Sequence, residues 1–300
     1  MAKGLLIIRT LTPTHPGAGA SVGAIDLMLQ REVTTDFPFI QGSSLKGAVR
    51  SYLKNEPNSV LDNVFGPRNV ESSDFRKGSL IISDASLLFY PVRTLKGLYA
   101  LVTCPEILRR LNMPHVKLLP ENSKKLLEWN DKEKVLPLGE NVENFKIGDR
   151  VYFEDLNFGI DSNSIDTSWI NELPIENEDK SRIFLVHDDV FQYFVKFATQ
   201  VMSRNRISYN TGVVETGALW TEEHLPPETY LFSYLKDDEK KVGKIEVKNG
   251  EDETEKEVTA FKWLKSKIDS QVIHLGGDET VGKGFVELKV KELSGGNQNV

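Results

Sequence analysis

A glycine-rich stretch near the C-terminus has residue types and spacing that could bind phosphate. From Gly277 to Lys283 the sequence satisfies the G-x-x-x-x-G-K pattern of a nucleotide-binding loop, in which backbone amides surround phosphates and the lysine neutralises them. That pattern also needs a hydroxyl residue after the lysine and a helix beginning there, but Gly284 occupies the hydroxyl position. The flanking segments QVIHL and FVELKVKEL have strand-like spacing, so the sequence predicts a strand, a glycine-rich loop at 276–284 and a second strand. A nucleotide triphosphatase is therefore disfavoured.

A second candidate for phosphate binding is the predicted helix start in FPFIQGSSLKGAVRSYLKNEP. Ser43 or Ser44 is predicted to cap this helix, whose apolar stripe consists of Leu45, Ala48, Val49, Tyr52 and Leu53. Lys46, Arg50 and Lys54 follow one another at i, i+4 and i+8 on the other side. A lysine in the first turn opposes the helix dipole, and a bound anion would relieve that conflict. The alternative is an ordinary solvated face.

His15 and Asp26 are the N-terminal side chains that could move protons or bind a metal ion. His15 lies in PTHPGAGASVG, which contains too many Pro and Gly residues for a helix and is predicted to be a loop. Asp26 lies in AIDLMLQRE, whose alternation predicts a strand with Asp26 opposite Ile25, Leu27 and Leu29. By residue type alone, an isolated aspartate on a strand is most often structural. Cys104 is the single cysteine and the five histidines form no metal-binding motif, so no metal cluster is predicted.

The remaining segments supply the elements that must position these residues. Strand patterns occur at 3–13, 78–92, 97–104 and 149–160, and helical patterns occur at 168–174, 186–200 and 261–268. Residues 105–148, rich in Pro, Lys, Glu and Asn, are interpreted as an insertion, and KNGEDETEKE is interpreted as a solvated loop in a second insertion at about 237–257. Short strands around Gly212 and Gly217 predict a protruding hairpin. This order of elements predicts an α+β fold with a ferredoxin-like split βαβ core.

Composition and charge limit the classes of function. The chain has 300 residues and 39% apolar content, enough for a substantial core. Its net charge is -7, but residues 121–180 carry -8 and residues 237–257 carry -4, so the rest of the chain is weakly basic and compatible with an RNA partner. The apolar run GLLII is interrupted by Arg9, so we expect no membrane span and a cytoplasmic location.

Four elements considered together resemble one family. They are the loop leading from His15 to Asp26, the GSSLKG helix start, the TGVVETGALWTEEHLPPET segment and the GGDETVGKG loop. In order and spacing this set resembles the backbone subunits of the Cmr complex, the type III-B CRISPR effector that targets RNA, which belong to the RAMP superfamily. The resemblance implies one RAMP domain over 1–300, with a ferredoxin-like palm related to RNA-recognition folds and a thumb hairpin at about 203–222.

The same resemblance implies a function and site residues. Several copies would stack head to tail along a guide CRISPR RNA, together with other Cmr subunits, and would cleave target RNA at regular intervals as a metal-dependent endoribonuclease. Asp26 corresponds to the family's catalytic and metal-binding aspartate, with Mg²⁺ or Mn²⁺ as the ion, and His15 and Glu228 are weaker catalytic candidates. The residues implied in RNA binding are Gly42, Ser43, Ser44, Lys46, Arg50, Arg204, Arg206, Gly276, Gly277 and Lys283. Glu223, Glu228 and Tyr230, in the stretch after the hairpin, could come near the site of a neighbouring copy, although such residues more often solvate a loop.

Other functions remain open at this level. The same binding residues would serve a non-catalytic RNA scaffold in which Asp26 is incidental. A guide-processing endonuclease of the same superfamily would rely on histidine acid–base chemistry without a metal. A nucleotide-binding protein would gain thermal stability from ATP.

Overall fold

The computed structural model describes residues 4–20, 23–68, 76–112, 118–120, 123–162, 165–249 and 252–293. The first half contains β1 (Gly4–Thr10), β2 (Gly17–Ala20), β3 (Leu27–Leu29), β4 (Phe39–Ile40), α1 (Gly42–Tyr52), α2 (Asn58–Phe65), β5 (Leu80–Ile82), β6 (Ala85–Arg93), β7 (Tyr99–Thr103), α3 (Pro105–Leu111), α4 (Lys124–Leu127) and β8 (Lys134–Pro137). The second half contains β9 (Arg150–Phe153), β10 (Leu156–Ile160), α5 (Ser168–Asn171), α6 (Asn177–Lys180), β11 (Ile183–Leu185), α7 (Asp188–Phe197), β12 (Gln200–Ile207), β13 (Val214–His224), β14 (Tyr230–Asp237), β15 (Lys241–Asn249), β16 (Asp252–Thr259), α8 (Ala260–Ile268), β17 (Gln271–His274) and β18 (Phe285–Glu292).

The largest sheet is built around β1. This strand pairs antiparallel with β14 on one side and β18 on the other, and the sheet continues from β14 through β6, β7, β11, β8 and β10 to β9. Leu5, Leu6, Ile7 and Ile8 are all buried, so β1 is covered on both faces, as its continuous apolar run requires. The ring of Phe261 in α8 lies so close to Gly4 that a β-carbon there would overlap it. Helix α8 therefore packs directly on the central strand.

The segment predicted as an insertion at 105–148 contributes to this sheet. Its strand β8 lies between β11, with which it is antiparallel, and β10, with which it is parallel. Helices α3 and α4 precede β8 in the same segment, and Ile107, Leu108 and Leu126 are buried. The segment is part of the common core because its apolar residues pack against that core.

The interpretation of KNGEDETEKE as a solvated loop was wrong. Strands β15 and β16 pair antiparallel, from Lys241 opposite Thr259 to Asn249 opposite Asp252. The signal was present in the sequence, because V-G-K-I-E-V-K alternates and an Asn-Gly pair follows it, which is a strong local signature of a hairpin. The high density of charge obscured this pattern.

A second sheet carries the predicted catalytic region. It has four strands in the order β12, β13, β3 and β2. Strands β12 and β13 form a long antiparallel hairpin, while β13 contacts β3 through the pair Glu222 and Leu27. The predicted strand around Asp26 is shorter than expected, so that Asp26 immediately precedes β3. Near the far end of the hairpin and in its turn, the exposed apolar residues are Ile207, Tyr209, Val213, Val214 and Leu219.

Among the described residues, every helix is too short or too polar to cross a bilayer.

The predicted order of strand, glycine-rich loop and strand at the C-terminus is confirmed. Strands β17 and β18 pair antiparallel, from Gln271 opposite Leu288 to His274 opposite Phe285, and the glycine-rich loop connects them. No helix of the kind that follows a nucleotide-binding loop begins at Lys283, so the phosphate-loop interpretation fails on structural grounds as well.

Candidate functional site

The carboxylate of Asp26 is held by one residue of the β12–β13 hairpin. Its Oδ2 atom accepts hydrogen bonds from the backbone N–H of Thr221 at 2.8 Å and from the Thr221 hydroxyl at 2.9 Å. The Thr221 oxygen also accepts a hydrogen bond from the Asp26 backbone N–H at 3.1 Å. Because Asp26 is solvent-exposed and tied to β13, it is both oriented and accessible.

These hydrogen bonds affect the protonation of Asp26. The backbone N–H of Thr221, followed by its hydroxyl, lowers the pKa of the Asp26 carboxyl below its usual value, because both donors stabilise the ionised form. A lowered pKa means that the carboxylate persists to a lower pH than an unperturbed aspartate and is lost only as the pH falls through the lowered value. Asp26 is therefore ionised throughout the neutral range.

Thr221→Val should raise the pKa of Asp26 toward its ordinary value, because the hydroxyl donor disappears while the backbone donor remains. Thr221→Ser keeps a hydroxyl and should leave the titration unchanged. A ¹³C NMR titration of aspartate carboxyls, with Asp26 assigned from the Asp26→Asn spectrum, measures the shift. An unchanged titration in Thr221→Val would show that the hydroxyl does not hold the carboxylate.

His15 is fixed to the same strand. Its Nδ1 atom lies 2.6 Å from the carbonyl oxygen of Glu223, and because a carbonyl can only accept, Nδ1 must carry the proton. In the neutral ring Nε2 is then free to accept a proton. Thr221 and Glu223, which anchor Asp26 and His15, are two residues apart on β13, roughly 7 Å along the strand. The structure thus brings both predicted residues to the base of one hairpin.

The glycine-rich loop packs against the His15 loop. Gly284 donates a hydrogen bond to the carbonyl oxygen of Pro13 at 3.0 Å. Gly276 has a φ of 92°, and a β-carbon at this position would lie 2.7 Å from the carbonyl oxygen of His15. Only glycine satisfies both the left-handed backbone and this close approach. The glycines therefore serve the packing of two loops.

The two loops and α1 line a continuous groove. A cleft of about 260 Å³ lies between His15, Gln41, Ser44, Gly276 and Gly277. A second cleft of about 680 Å³ shares Ser44 and Gly276 with the first and runs along the exposed face of α1 beside β17, where it is lined further by Gly47, Ser51 and Lys54. Three segments implicated from the sequence therefore border one surface.

The start of α1 differs from the prediction that Ser43 or Ser44 caps it. The helix begins at Gly42, Gln41 is its N-cap residue without a side-chain cap, and Asp84 accepts the Gly42 N–H at 2.7 Å. A β-carbon on Gly42 would meet the backbone of the β5–β6 turn, so this approach of the chain fixes an earlier start. Within the described residues, the Ser43 and Ser44 amides make no hydrogen bond, as is usual in a first turn.

Two of the three basic residues on α1 have partners within the chain. The Lys46 ammonium donates to the carbonyl oxygen of Leu80 at 3.1 Å, and burial lowers its pKa. Arg50 forms an ion pair with Asp62 of α2 at 2.6 Å. Lys54 is exposed and lines the larger cleft. A role for Lys46 and Arg50 in RNA binding stays a prediction, and each would have to exchange a protein partner for RNA.

Sequence reasoning missed three residues of the candidate site, namely Gly47, Ser51 and Thr221. Gly47 and Ser51 line the groove, and their signal was a run of small residues at Ser43, Ser44, Gly47 and Ser51 on one side of α1. Thr221 was missed because its partner Asp26 lies 195 positions away, and no local pattern connects the two.

The two hairpin arginines have different environments. Arg206 is largely exposed and makes a loose ion pair with Glu215 at 3.8 Å. Arg204 is three-quarters buried and contacts the carboxylates of Glu222 at 3.1 Å and Asp278 at 3.3 Å. Arg206 is therefore the more available for an external anion.

The Glu228 carboxylate is engaged by Arg9 on the central strand. Glu228 forms a close ion pair with Arg9, whose guanidinium also lies 3.6 Å from Asp179. The Tyr230 hydroxyl donates to Asp179 at 2.6 Å, so Tyr230 belongs to the same network. Glu223 is buried, where it accepts from the Leu29 amide and pairs with Arg31. A catalytic role for Glu228 stays a prediction and would require action on a neighbouring copy or release from Arg9.

Asp26 by itself offers little to a metal ion. Oδ2 is occupied by Thr221, whereas Oδ1 accepts no hydrogen bond from any residue that the structure describes. In those parts of the chain, no other His, Cys, Asp or Glu joins Asp26 in a ligand cluster. One free carboxylate oxygen suits Mg²⁺ that takes its other ligands from water and RNA phosphates, but it does not form a protein-built metal site.

Comparison with known proteins agrees with this arrangement of elements. A profile of the RAMP superfamily matches residues 7–287. The chain is 35% identical to the CRISPR system Cmr endoribonuclease Cmr4 of Pyrococcus furiosus, across 98% of this chain and 97% of that protein. The crystal structure of oligomeric Cmr4 from Pyrococcus furiosus matches with a TM-score of 0.68 and 28% identity, covering 98% of this chain and all of that one.

A chain in the structure of the type III-B Cmr-beta complex bound to cognate target RNA has a TM-score of 0.70 at 24% identity, over 97% of both chains, which shows a common fold. The superfamily profile spans nearly the whole chain, and the identity to Cmr4 extends over the same length. This chain therefore belongs to the RAMP superfamily.

Proposed function

We propose that this chain is a guide-RNA-binding backbone subunit of a type III-B CRISPR ribonucleoprotein and that it cleaves target RNA complementary to the guide. The observation that carries the proposal is the continuous groove formed by α1, the His15 loop and the glycine-rich loop. Similarity to a protein named as a Cmr endoribonuclease supports the activity. The function also implies a cytoplasmic location, other copies of this chain and other Cmr subunits as partners.

We infer that the core is a ferredoxin-like palm. Support comes from the order β18, β1, β14, β6, with antiparallel pairing between all neighbours. Helix α1 follows β1, and α8 lies between β14 and β18, so the chain order is that of a split βαβ unit. The β12–β13 hairpin then acts as the thumb, and its exposed apolar tip suits insertion between stacked bases.

The groove is suited to the guide backbone. The Ser43 and Ser44 amides, which make no hydrogen bond within the described residues, lie at the positive end of α1, where a helix favours an anion. The Ser44 hydroxyl lies beside them, and the Ser43 hydroxyl donates to Oε1 of Gln41 at 3.4 Å. Lys54 adds a cation at the other end of the same face. These groups would contact phosphates and not base edges, so the contacts carry no sequence information. A subunit that accepts guides of any sequence requires such contacts.

Cleavage requires the RNA's own 2′-hydroxyl to attack the adjacent phosphate in line. The chain contributes Asp26, whose ionised and oriented Oδ1 can position the nucleophile, and His15, whose Nε2 can accept a proton. A thumb that splays one target nucleotide would relax A-form geometry and permit the in-line approach. A divalent ion held mainly by RNA phosphates, with Asp26 as its protein contact, would supply electrostatic stabilisation of the developing charge.

The test is cleavage of labelled RNA by the reconstituted complex. Complementary RNA should be cut at regular intervals with magnesium present, and scrambled RNA should stay intact. EDTA should suppress the cuts while target binding persists. Cuts that continue in EDTA would favour metal-free histidine chemistry, and binding without any cuts would leave the chain a scaffold.

Gly47→Glu should weaken guide RNA binding by roughly tenfold, because it places a negative charge in the groove opposite phosphates. A β-carbon at Gly47 meets no atom of the described residues within 4 Å, so the fold should accept the longer side chain. Gly47→Gln is the matched neutral control and should bind almost normally. Fluorescence anisotropy with labelled guide at fixed ionic strength measures both. Equal affinities for the two variants would remove this face of α1 from the RNA path.

A further inference from the structure

A cluster of metal-ligand side chains lies at the hairpin base and includes neither Asp26 nor His15. Glu222 and His224 are two residues apart on β13 and point to the same side, while Asp278 comes from the glycine-rich loop. One ligand atom from each of the three lies within 4.8 Å of the others. The cluster joins the hairpin base to the loop that borders the groove.

His224 is the unusual member of this cluster. It is fully buried, and neither ring nitrogen has a hydrogen-bond partner among the residues that the structure describes. Its Nε2 atom lies 3.7 Å from an oxygen of Glu222 and 4.0 Å from an oxygen of Asp278. A buried polar atom without a partner is costly and requires an explanation, and a bound ion is one of the few that native proteins offer.

The residue types in the cluster suit metal binding, because an imidazole nitrogen and two carboxylates are all ligands that divalent transition metals accept. Glu222 is oriented by the indole N–H of Trp220, which donates to its Oε1 at 2.6 Å, and its Oε2 faces His224. Such orienting hydrogen bonds are typical around metal ligands.

Two cations oppose an added ion. Arg204 bridges the Glu222 and Asp278 carboxylates, and the Lys283 charge acts on His224. The Arg204 side chain is 25% exposed and belongs to the edge of the protruding hairpin, so its guanidinium can move into solvent without unfolding the core. Its departure would leave two carboxylates and one imidazole, and a divalent ion would neutralise the charge of the two carboxylates.

We propose that Glu222, His224 and Asp278 bind a divalent transition-metal ion, with Zn²⁺ as the best match, in exchange for the Arg204 guanidinium. Imidazole and carboxylate are both ligand types that zinc accepts, and three protein ligands leave a fourth position open. Tetrahedral coordination with bonds of about 2.0–2.2 Å places ligand atoms roughly 3.3 Å apart. The present ligand atoms lie within 4.8 Å of one another, so their separations need to contract by at most about 1.5 Å. The ion would pin the glycine-rich loop to the hairpin.

The test is to add Zn²⁺ to the purified chain and to measure its binding by calorimetry and its effect on thermal unfolding. We expect one Zn²⁺ per chain and a higher unfolding temperature. His224→Asn and Asp278→Asn should each weaken binding by more than about 100-fold, since each removes a ligand. Arg204→Gln should tighten it by roughly tenfold because the competing cation is gone. Asp166→Asn, which changes an exposed aspartate outside the cluster, is the acidic control and should bind zinc as the wild type does.

A measurement on the wild type alone avoids any folding defect in the variants. X-ray absorption of the zinc-loaded chain should show an imidazole nitrogen and carboxylate oxygens at about 2.0–2.2 Å from the metal. Absence of binding by the wild type, binding only by Arg204→Gln, or unchanged binding by His224→Asn would each overturn the proposal. Because RNA cleavage is not the readout, failure here leaves the proposed slicing activity untouched.

Discussion

Asp26→Asn is expected to reduce target RNA cleavage by about 10²–10⁴-fold, the usual range for loss of a positioned acid–base or charge-stabilising group. Asparagine keeps the shape of the side chain and an oxygen that can accept from Thr221, but it removes the negative charge. The side chain is exposed and lies outside the core, so folding and guide binding should persist. Single-turnover cleavage and separate binding assays measure the two effects.

The matched control for this prediction is Asp166→Asn. Asp166 is also exposed, and hydrogen bonds from Ser168 lower its pKa in the same way. It precedes α5, and its hydrogen-bond partner Ser168 is the first residue of that helix, so cleavage should be unchanged. If Asp26→Asn also cleaves normally, this chain measures distance along the guide and another subunit cuts.

Asp179→Ala is expected to destabilise the chain by about 3–5 kcal/mol, the usual cost of removing one partner from a buried charge network. Asp179 is 2% exposed and accepts hydrogen bonds from the hydroxyls of Tyr230 at 2.6 Å and Tyr99 at 3.1 Å. Burial raises the pKa of both tyrosines, so they remain donors at neutral pH. Alanine would leave the buried Tyr230 hydroxyl and the partly buried Tyr99 hydroxyl without this acceptor, and Arg9 with less compensation.

Glu178→Ala provides the comparison. Glu178 precedes Asp179 in the chain and forms an ion pair with Arg182 at 2.9 Å, but its side chain is 83% exposed. A surface pair of this kind contributes at most about 1 kcal/mol. Urea unfolding of both variants separates buried from exposed charge. Equal losses of stability would show that the Asp179 network contributes nothing beyond an ordinary surface pair.

This network also explains the position of Glu228. Arg9 on the central strand links Glu228 to Asp179, which belongs to the short helix α6. The sequence offered Glu228 as a site residue through the family resemblance. Its carboxylate pairs with Arg9, which lies more than two hundred positions earlier in the chain. No local sequence pattern predicts a contact between residues so far apart.

Several conclusions followed from the sequence alone. The strand, glycine-rich loop and strand at the C-terminus could be predicted because Gly284 replaces the required hydroxyl and the flanking residues alternate, both of which are local properties. The mixed α+β class and the superfamily followed from the order of motifs. The β15–β16 hairpin also had a local sequence signal, an alternating segment followed by Asn-Gly. The high density of charged residues led instead to the prediction of a solvated loop.

Tertiary structure decided which charged groups are available and which are already engaged. Lys46, Arg50 and Lys54 are equivalent in the helical repeat, yet the first two meet Leu80 and Asp62 while the third faces the groove. The Asp26 anchor on Thr221 and the cluster of Glu222, His224 and Asp278 likewise join distant segments. Periodicity assigns a side chain to a face of its own element. What covers that face depends on long-range packing, which no local pattern encodes.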